Sequence, residues 1–258
     1  MIGLSLLHAE NLRAAGIPHA FTTRTGGISR APFASLNLGR GVGDDPAAVA
    51  NNRSTLLETM GFTGHRSVEA QQVHGAVVAV ATGEDGGRVI DGVDALITAD
   101  PSLVVSVYAA DCVPVLLADP GRRVVAAVHA GWRGITAGIL PGAVEMMIDR
   151  LGCAAAEVLA AIGPSIGACC YEVDAPVISQ LRRWSWWQDV VSANARGRWQ
   201  LDLQAAARTQ LVQSGLLLEH VDTLVLCTKC RAELFFSYRR DGTTGRMAGL
   251  IAPSRGGR

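Results

Sequence analysis

Three residues whose side chains can bind metal ions lie at the ends of apolar segments of the sequence. His129 closes the apolar run 124–128, Cys112 stands between two apolar runs, and His74 follows Gln71-Gln-Val. Imidazole nitrogen and thiolate sulfur are ligands that zinc prefers, and three protein ligands leave one position for water or substrate. These residue types predict one catalytic zinc ion, although their wide spacing matches no local zinc signature.

The same residues permit a second chemistry that needs no metal. Cys112 could act as a nucleophile with His129 as its base, while Asp111 or His74 orients the imidazole. A single buried cysteine, or a histidine at a strand end, is also often only structural. The residue types alone leave these interpretations open.

The segment His129-Ala-Gly-Trp-Arg-Gly is the densest motif of the chain. An apolar strand leads through glycine into a predicted helix, whose first N–H groups could bind an anion together with Arg133. A tight turn with Trp132 packed on the core explains the pattern equally well.

The six cysteines have irregular spacing, which is not typical of a secreted disulfide scaffold. Cys227-Thr-Lys-Cys has the spacing of a zinc or redox pair. A single pair is weak support for zinc, and no helix of a βαβ unit follows it directly, as a redox motif would require. In a reducing compartment these residues are expected to be free thiols or metal ligands.

The charge balance is neutral, with 23 basic and 23 acidic residues. Neutrality gives no reason to expect nucleic acid or an anionic membrane as partner. No segment approaches the roughly 20 apolar residues that span a bilayer, and the N-terminus lacks the basic start of a signal peptide. We therefore expect a cytoplasmic protein, and the lack of an evident apolar surface stripe favours a monomer.

Periodicity and turn residues predict an α/β fold with mixed β-sheets layered with helices. We expect one domain over residues 1–258, with a loop-rich N-terminal part about 1–66 and a C-terminal tail about 253–258. Predicted helices cover 47–60, 135–151, 173–184 and 203–215, and Pro141 should kink the second or delay its start. Predicted strands cover 76–81, 94–98, 103–108, 113–117, 124–129, 157–162, 221–226, 235–238 and 248–251.

Several motifs in fixed order resemble the laccase-domain family, the YfiH-like proteins also called peptidoglycan editing factors. The similarity covers about residues 20–252. It rests on Gly27-Ile-Ser, Ser35-Leu-Asn-Leu-Gly, Gln72-Val-His-Gly, Asp94-Ala-Leu-Ile-Thr, Ala110-Asp-Cys-Val-Pro, His129-Ala-Gly-Trp-Arg-Gly, Ile162-Gly-Pro-Ser-Ile, Tyr171-Glu-Val and Phe236-Ser-Tyr-Arg-Arg-Asp.

The resemblance implies the same α/β fold, which is related to Cys–His toxin deamidases, and one zinc on His74, Cys112 and His129. It also implies purine nucleoside chemistry: phosphorolysis of adenosine, inosine and methylthioadenosine, and deamination of adenosine. Older labels describe multicopper oxidases. Six histidines without a single HxH pair cannot hold four copper ions, so copper is not expected beyond adventitious binding.

For this chemistry the expected partners are a purine nucleoside and phosphate. Asp111 or Glu172 is the candidate acid for deamination. Charge and loop placement make Arg133, with Arg53 or Arg24, the candidates for binding phosphate. The alternative function is a zinc- or Cys112-dependent hydrolase or amidase that edits a cell-wall peptidoglycan precursor, and a non-enzymatic metal-binding protein is the third option.

Overall fold

A computed structural model of the protein describes residues 3–254. Its strands are β1 Leu6–Leu7, β2 His19–Thr22, β3 Arg66–Gln71, β4 Val78–Val80, β5 Val89–Asp91, β6 Ala95–Thr98, β7 Leu103–Ala109, β8 Val113–Asp119, β9 Val124–Ala130, β10 Leu159–Ile162, β11 Glu172–Val173, β12 Val191–Ala193, β13 Trp199–Leu201, β14 Val221–Thr223 and β15 Met247–Ile251. The α-helices are α1 Glu10–Ala14, α2 Pro46–Thr59, α3 Trp132–Ala137, α4 Ile139–Leu151, α5 Ala175–Leu181, α6 Leu203–Gln213 and α7 Tyr238–Asp241.

The strands form two six-stranded sheets and one three-stranded sheet. The first large sheet has the order β1-β2-β15-β7-β3-β5, the second the order β14-β10-β8-β9-β6-β4, and the small sheet the order β11-β13-β12. Both large sheets are mixed: β3 pairs in parallel with β5 and β7, for example, whereas β8 and β9 are antiparallel. The predicted α/β fold with mixed sheets and helices is confirmed.

Strand residues alternate between two separate apolar layers. Along β9, Val125 and Ala127 pack toward the first sheet, whereas Val124, Ala126 and Val128 pack toward the helices. Successive side chains of a strand point to opposite faces, so a strand covered on both faces is apolar throughout. The two large sheets therefore lie face to face, with α4 and α6 covering the outer face of the second and α2 that of the first.

The prediction for helix 47–60 is confirmed, with α2 beginning at Pro46 and Asp45 capping the N–H of Ala47. The predicted helix 135–151 is broken into α3 and α4, but the break lies at Gly138 and not at Pro141. Gly138 has a φ of 83°, a left-handed conformation that glycine adopts at low cost. Pro141 lies in the first turn of α4, where its missing N–H costs no hydrogen bond.

The predicted strand 235–238 is wrong. Ser237 caps a short helix instead, accepting a hydrogen bond from the N–H of Arg240. Phe235 and Phe236 are buried side by side in a small cluster against Ala110 and Met247. Part of the predicted tail, 255–258, lies outside the described residues. Among residues 3–254, no helix is long and apolar enough to cross a membrane.

His19 should make the stability of the fold depend on pH. The N–H of Ala9, at the start of α1, donates to Nε2 of the buried His19, and Nδ1 donates to the carbonyl of Ile17. Burial lowers the pKa of His19 despite these hydrogen bonds, and a proton on Nε2 would face the Ala9 N–H. The unfolded chain, in contrast, binds a proton at about pH 6.5. The free energy of unfolding should fall as pH decreases through this value.

We therefore expect His19→Gln, which keeps an acceptor for Ala9 but does not titrate, to flatten this dependence. Urea unfolding at several pH values between about 5 and 8 measures the slope. The same pH slope in both proteins would contradict the assignment.

Candidate metal centre and adjoining cleft

Strand register brings Cys112 and His129 together. Strands β8 and β9 pair so that Pro114 lies opposite His129 and Val113 opposite Ala130, which leaves Cys112 beside Gly131. Because alternate residues share a face, His129 points the same way as Ala127, toward the first sheet. Cys112, which directly precedes β8, is in step with Leu116 and Ala118, which also face the first sheet. Both side chains therefore lie at the end of the space between the two large sheets.

His74 reaches this place from the first sheet. It lies in the turn that follows β3 and has a φ of 60°, which is uncommon for a residue with a side chain. The turn is held by Asp94, whose carboxylate accepts the N–H groups of Val73, His74 and Gly75 at 3.2, 3.0 and 2.7 Å. These three hydrogen bonds fix a backbone that would otherwise be unfavourable.

The ligand atoms of His74, Cys112 and His129 all lie within 4.8 Å of one another. The imidazole rings of the two histidines meet edge to face, with centroids 4.9 Å apart. A Cβ added to Gly131 would lie 3.0 Å from the sulfur of Cys112 and 3.3 Å from Cδ2 of His74. The glycine of the HAGWRG motif thus leaves the three side chains the space to converge on one ion.

Asp94 also orients His129 directly, a role that its position in the sequence did not predict. Its Oδ1 is 2.8 Å from Nδ1 of His129, and both side chains are buried. Because Nδ1 is engaged by the carboxylate, Nε2 is the nitrogen left for a metal or a substrate. Histidine ligands commonly have such a carboxylate partner, which fixes the tautomer and raises ligand basicity. An acidic residue at the start of a buried apolar strand was the available signal.

The electrostatics favour a thiolate at Cys112 and a protonated His129, whose proton a bound metal ion would displace. Burial opposes the thiolate of Cys112, but His129 and His74 outweigh it and lower the pKa of the thiol. Burial likewise opposes a charged His129, whereas Cys112 and Asp94 outweigh it and raise the pKa of the imidazole. Burial opposes ionisation of Asp94 too, yet hydrogen bonds from His129 and Gly75 lower its pKa. A thiolate is the form that binds metal ions and attacks electrophiles.

The three ligands open into a cleft of about 870 Å³. This volume is within the usual range for small-molecule sites. Its lining carries four arginines but only two carboxylates, a positive balance suited to an anionic ligand. The arginines are Arg40, Arg53, Arg239 and Arg246, and the carboxylates are Glu69 and Asp111.

Of the arginines predicted to bind phosphate, only Arg53 lines the cleft. It forms an ion pair with Glu69 and stacks on the ring of Tyr108. Arg24 hydrogen-bonds the carbonyls of Ala34 and Ala232 and does not line the cleft. Arg133 lies in the first turn of α3, outside the cleft lining, and stacks on Trp132.

Two arginines that the sequence analysis did not select are better placed. Arg246 donates to the carbonyls of Thr244 and Gly245, and Arg239 stacks on the ring of Tyr171. Within residues 3–254, neither guanidinium forms an ion pair with a carboxylate. Their charge therefore remains available to a ligand. Arg239 stood in the Phe236-Ser-Tyr-Arg-Arg-Asp motif, but nothing in the pattern distinguished Arg246.

The two predicted acids have different surroundings. Asp111 lines the cleft, and its carboxylate accepts hydrogen bonds of 2.6 Å from the hydroxyl of Thr228 and from the N–H of Arg239. Glu172 lies outside the cleft lining and contacts Asn194 and Arg198. Asp111 therefore holds the segment that carries Arg239. It was predicted as one possible orienting residue for His129, but its hydrogen bonds go to Thr228 and Arg239 instead. Asp94 occupies that position.

Two solved structures share this architecture. The crystal structure of Bacillus licheniformis hypothetical protein YfiH matches with a TM-score of 0.93 and 36% sequence identity, covering 97% of each chain. The crystal structure of YlmD from Geobacillus stearothermophilus matches with a TM-score of 0.93 and 38% identity, covering 98% of this chain and 97% of the other.

Sequence comparison defines the family. Purine nucleoside phosphorylase YlmD of Geobacillus stearothermophilus is 40% identical over 251 residues, 92% of this chain and 90% of the relative. A purine nucleoside phosphorylase of Deinococcus radiodurans is 42% identical over 257 residues, 98% and 94% of the two chains. Residues 18–254 match the family described as multi-copper polyphenol oxidoreductase laccase. The chain belongs to this laccase-like YfiH family, which confirms the resemblance.

The family description names copper, but the ligands available are few. Residues 3–254 contain two groups of at least three metal-binding side chains, and only the group of His74, Cys112 and His129 includes histidine. A multicopper oxidase needs a blue-copper site and a trinuclear cluster, which require many more histidines. The donor set fits a single borderline-soft ion.

Removing the charge of Asp94 should weaken the metal centre. We expect Asp94→Asn to lower zinc affinity about 10–100-fold, since it disturbs both the tautomer of His129 and the turn of His74. Competition with a chromophoric chelator measures the affinity. Asp91→Asn, which makes the same charge change at an exposed residue, is the control. Equal affinities of all three proteins would show that Asp94 does not support the ligands.

Proposed function

We propose that the protein is a zinc-dependent purine nucleoside phosphorylase that also deaminates adenosine. One observation carries the proposal: a three-ligand metal site and two arginines without carboxylate partners line the same cleft. The names of the relatives from Geobacillus and Deinococcus support the phosphorylase assignment. Six free thiols fit a reducing compartment, and we propose a cytoplasmic location.

His74, Cys112 and His129 would hold the zinc ion, and Asp94 would keep His129 in the right tautomer. When bound, the ion would supply a Lewis acid that stabilises negative charge developing on the substrate. With one thiolate among three ligands, the loaded site would keep a net positive charge. Three ligands also leave a position open toward the cleft.

The arginines would bind and orient phosphate. Arg246 and Arg239 have donors that no carboxylate occupies, whereas Arg40 and Arg53 share Glu69. A guanidinium group can donate two parallel hydrogen bonds to two oxygens of one phosphate. This attracts the anion and also fixes the orientation of the attacking oxygen. Phosphorolysis requires this orientation, since a phosphate oxygen attacks C1′ while the bond from C1′ to the purine breaks and the purine takes the electron pair. Arg133 at the start of α3 remains a candidate for further contact.

The nucleoside would lie against the tyrosines of the cleft. Burial raises the pKa of Tyr171 to about 12, so that its hydroxyl stays protonated and can donate a hydrogen bond to the purine. Because Arg239 stacks on the ring of Tyr171, the phosphate and the purine would bind next to each other. For deamination, Asp111 lies within the cleft lining and is preferred over Glu172 as the acid.

A second candidate function has its own support. Cys112, His129 and Asp94 have the composition and order of contacts of a thiol hydrolase, in which a carboxylate orients the imidazole that activates the nucleophile. A cell-wall precursor containing an amide would be the substrate class. This reaction needs Cys112 and His129 but not His74, which distinguishes it from the zinc mechanism.

The two functions can be separated with the purified protein. Adenosine or inosine is incubated with phosphate, and the bases and nucleosides are resolved by chromatography while bound metal is measured. Adenosine should give adenine and ribose 1-phosphate, with inosine as the deamination product. His74→Ala and Cys112→Ser should each lose the zinc ion of this site together with turnover. Cys153→Ser, which lies just after α4 and beside Asp119 at the far end of β8, should retain both.

Particular results would overturn these assignments. Full turnover by a His74→Ala protein that has lost the zinc ion of this site would exclude the metal mechanism. A zinc-loaded wild type that leaves nucleosides unchanged, but whose Cys112 is labelled by an amide-bearing cell-wall fragment in a His74-independent manner, would favour the hydrolase.

Arg246 should act mainly on phosphate. We expect Arg246→Gln to raise the KM for phosphate about tenfold or more, because a charge-assisted hydrogen bond contributes about 1.5–3 kcal/mol. The KM for the nucleoside should change less. Steady-state kinetics with each substrate varied in turn measures both constants. Arg208→Gln, on the exposed face of α6, is the control, and an unchanged phosphate KM in Arg246→Gln would remove this residue from the phosphate site.

A further inference from the structure

Four cysteines converge at a second place beside the cleft. Cys169 and Cys170 lie in the turn before β11, and Cys227 and Cys230 in the turn after β14. The sulfur of Cys230 is 3.7 Å from that of Cys169 and 3.4 Å from that of Cys170. All four sulfurs lie within 4.8 Å of one another. Cys169 and Cys170 thus supply the second cysteine pair that the sequence around Cys227-Thr-Lys-Cys lacked.

The backbone holds the two turns in place. Ser165 and Cys227 form an isolated parallel bridge, and the N–H of Thr228 donates to the carbonyl of Ser165 at 2.9 Å. The N–H of Gly167 points at the sulfur of Cys227 at 3.2 Å. A Cβ on Gly167 would lie 3.3 Å from Cβ of Cys227 and 3.4 Å from the sulfur of Cys169. Glycine therefore permits the sulfurs to approach, and its N–H can stabilise a thiolate.

We propose that Cys169, Cys170, Cys227 and Cys230 bind a second zinc ion, with a structural role. At a Zn–S distance of about 2.3 Å, the sulfurs of a tetrahedral site lie about 3.8 Å apart, close to the two separations above. Four thiolates fill the coordination shell, so that no position remains for substrate. A cluster of several iron atoms would hold the sulfurs farther apart than one ion does.

The surroundings suit the charge of such a site. Four thiolates and one divalent ion carry two negative charges in total, and Lys229 and Arg231 flank Cys230 in the sequence. Cys169 and Cys230 are exposed, which gives a metal ion or a chelator access. Cys153 is buried elsewhere and takes no part.

The second ion would stabilise one wall of the cleft. Thr228, between the two cysteines of the CxxC pair, donates to Asp111, and Arg240 donates to the carbonyls of Thr228 and Lys229. Tyr171 of the cleft follows Cys170 directly. Zinc bound to both turns would thus hold Asp111 and Tyr171 in position without touching the substrate.

Metal analysis tests this proposal independently of any reaction. Wild-type protein purified under reducing conditions and loaded with zinc should retain two ions per chain after desalting. Cys230→Ser and Cys169→Ser should each retain one, held by the histidine-containing site, and Cys112→Ser should retain one, held by the four cysteines. Lys229→Ser, in the same turn, should retain two.

X-ray absorption at the zinc edge identifies which ion remains. Zinc in Cys112→Ser should have only sulfur neighbours, whereas zinc in Cys230→Ser should have nitrogen as well. If Cys230→Ser and Cys169→Ser do not fold, cobalt titration of Cys112→Ser supplies the same test through the absorption bands of a tetrahedral thiolate site. Loss of all zinc from folded Cys112→Ser, nitrogen ligands around its ion, bound iron instead of zinc, or a disulfide among the four cysteines in freshly reduced protein would each overturn the proposal.

Discussion

The carboxylate of Asp94 connects the two segments that carry His74 and His129, on which the candidate metal centre depends. It accepts three N–H groups of the turn that carries His74 and contacts Nδ1 of His129, so that it connects the first sheet with the second. A buried carboxylate is costly unless hydrogen bonds satisfy it, and here four donors do so. One residue thereby holds both the positive-φ turn of His74 and the imidazole orientation of His129.

Carboxylates of the described residues neutralise only part of the positive charge of the cleft. Glu69 neutralises part of the charge of Arg40 and Arg53, whereas Arg239 and Arg246 are held by carbonyls and an aromatic ring instead of a carboxylate. Carbonyls orient a guanidinium without cancelling its charge. The cleft consequently keeps a positive field next to the metal ligands, which is the arrangement that an anionic co-substrate requires.

The sequence predicted what depends on local pattern. Apolar runs identified β6 to β9, since strands buried on both faces contain few polar residues. Ligand chemistry made His74, Cys112 and His129 candidates, and the family motifs selected them from the alternatives. Short edge strands such as β5 and β12 have no apolar run and were missed. The role of Asp94 depends on the register between β6 and β9. The position of Arg246 depends on its packing against the distant turn at Asn37 and Gly39. Neither relation leaves a periodic signal in one sequence.

The two thiol sites differ in the way expected of catalytic and structural zinc. At the first, two histidines and one cysteine leave a position that faces an arginine-lined cleft. At the second, four cysteines on two turns surround the place of one ion, and nearly sixty residues separate the turns in the sequence. Closing so long a loop costs conformational entropy, which metal binding can offset in the way a cross-link does. With zinc bound, the closed site would stabilise a wall of the cleft, while reactivity would be confined to the open one.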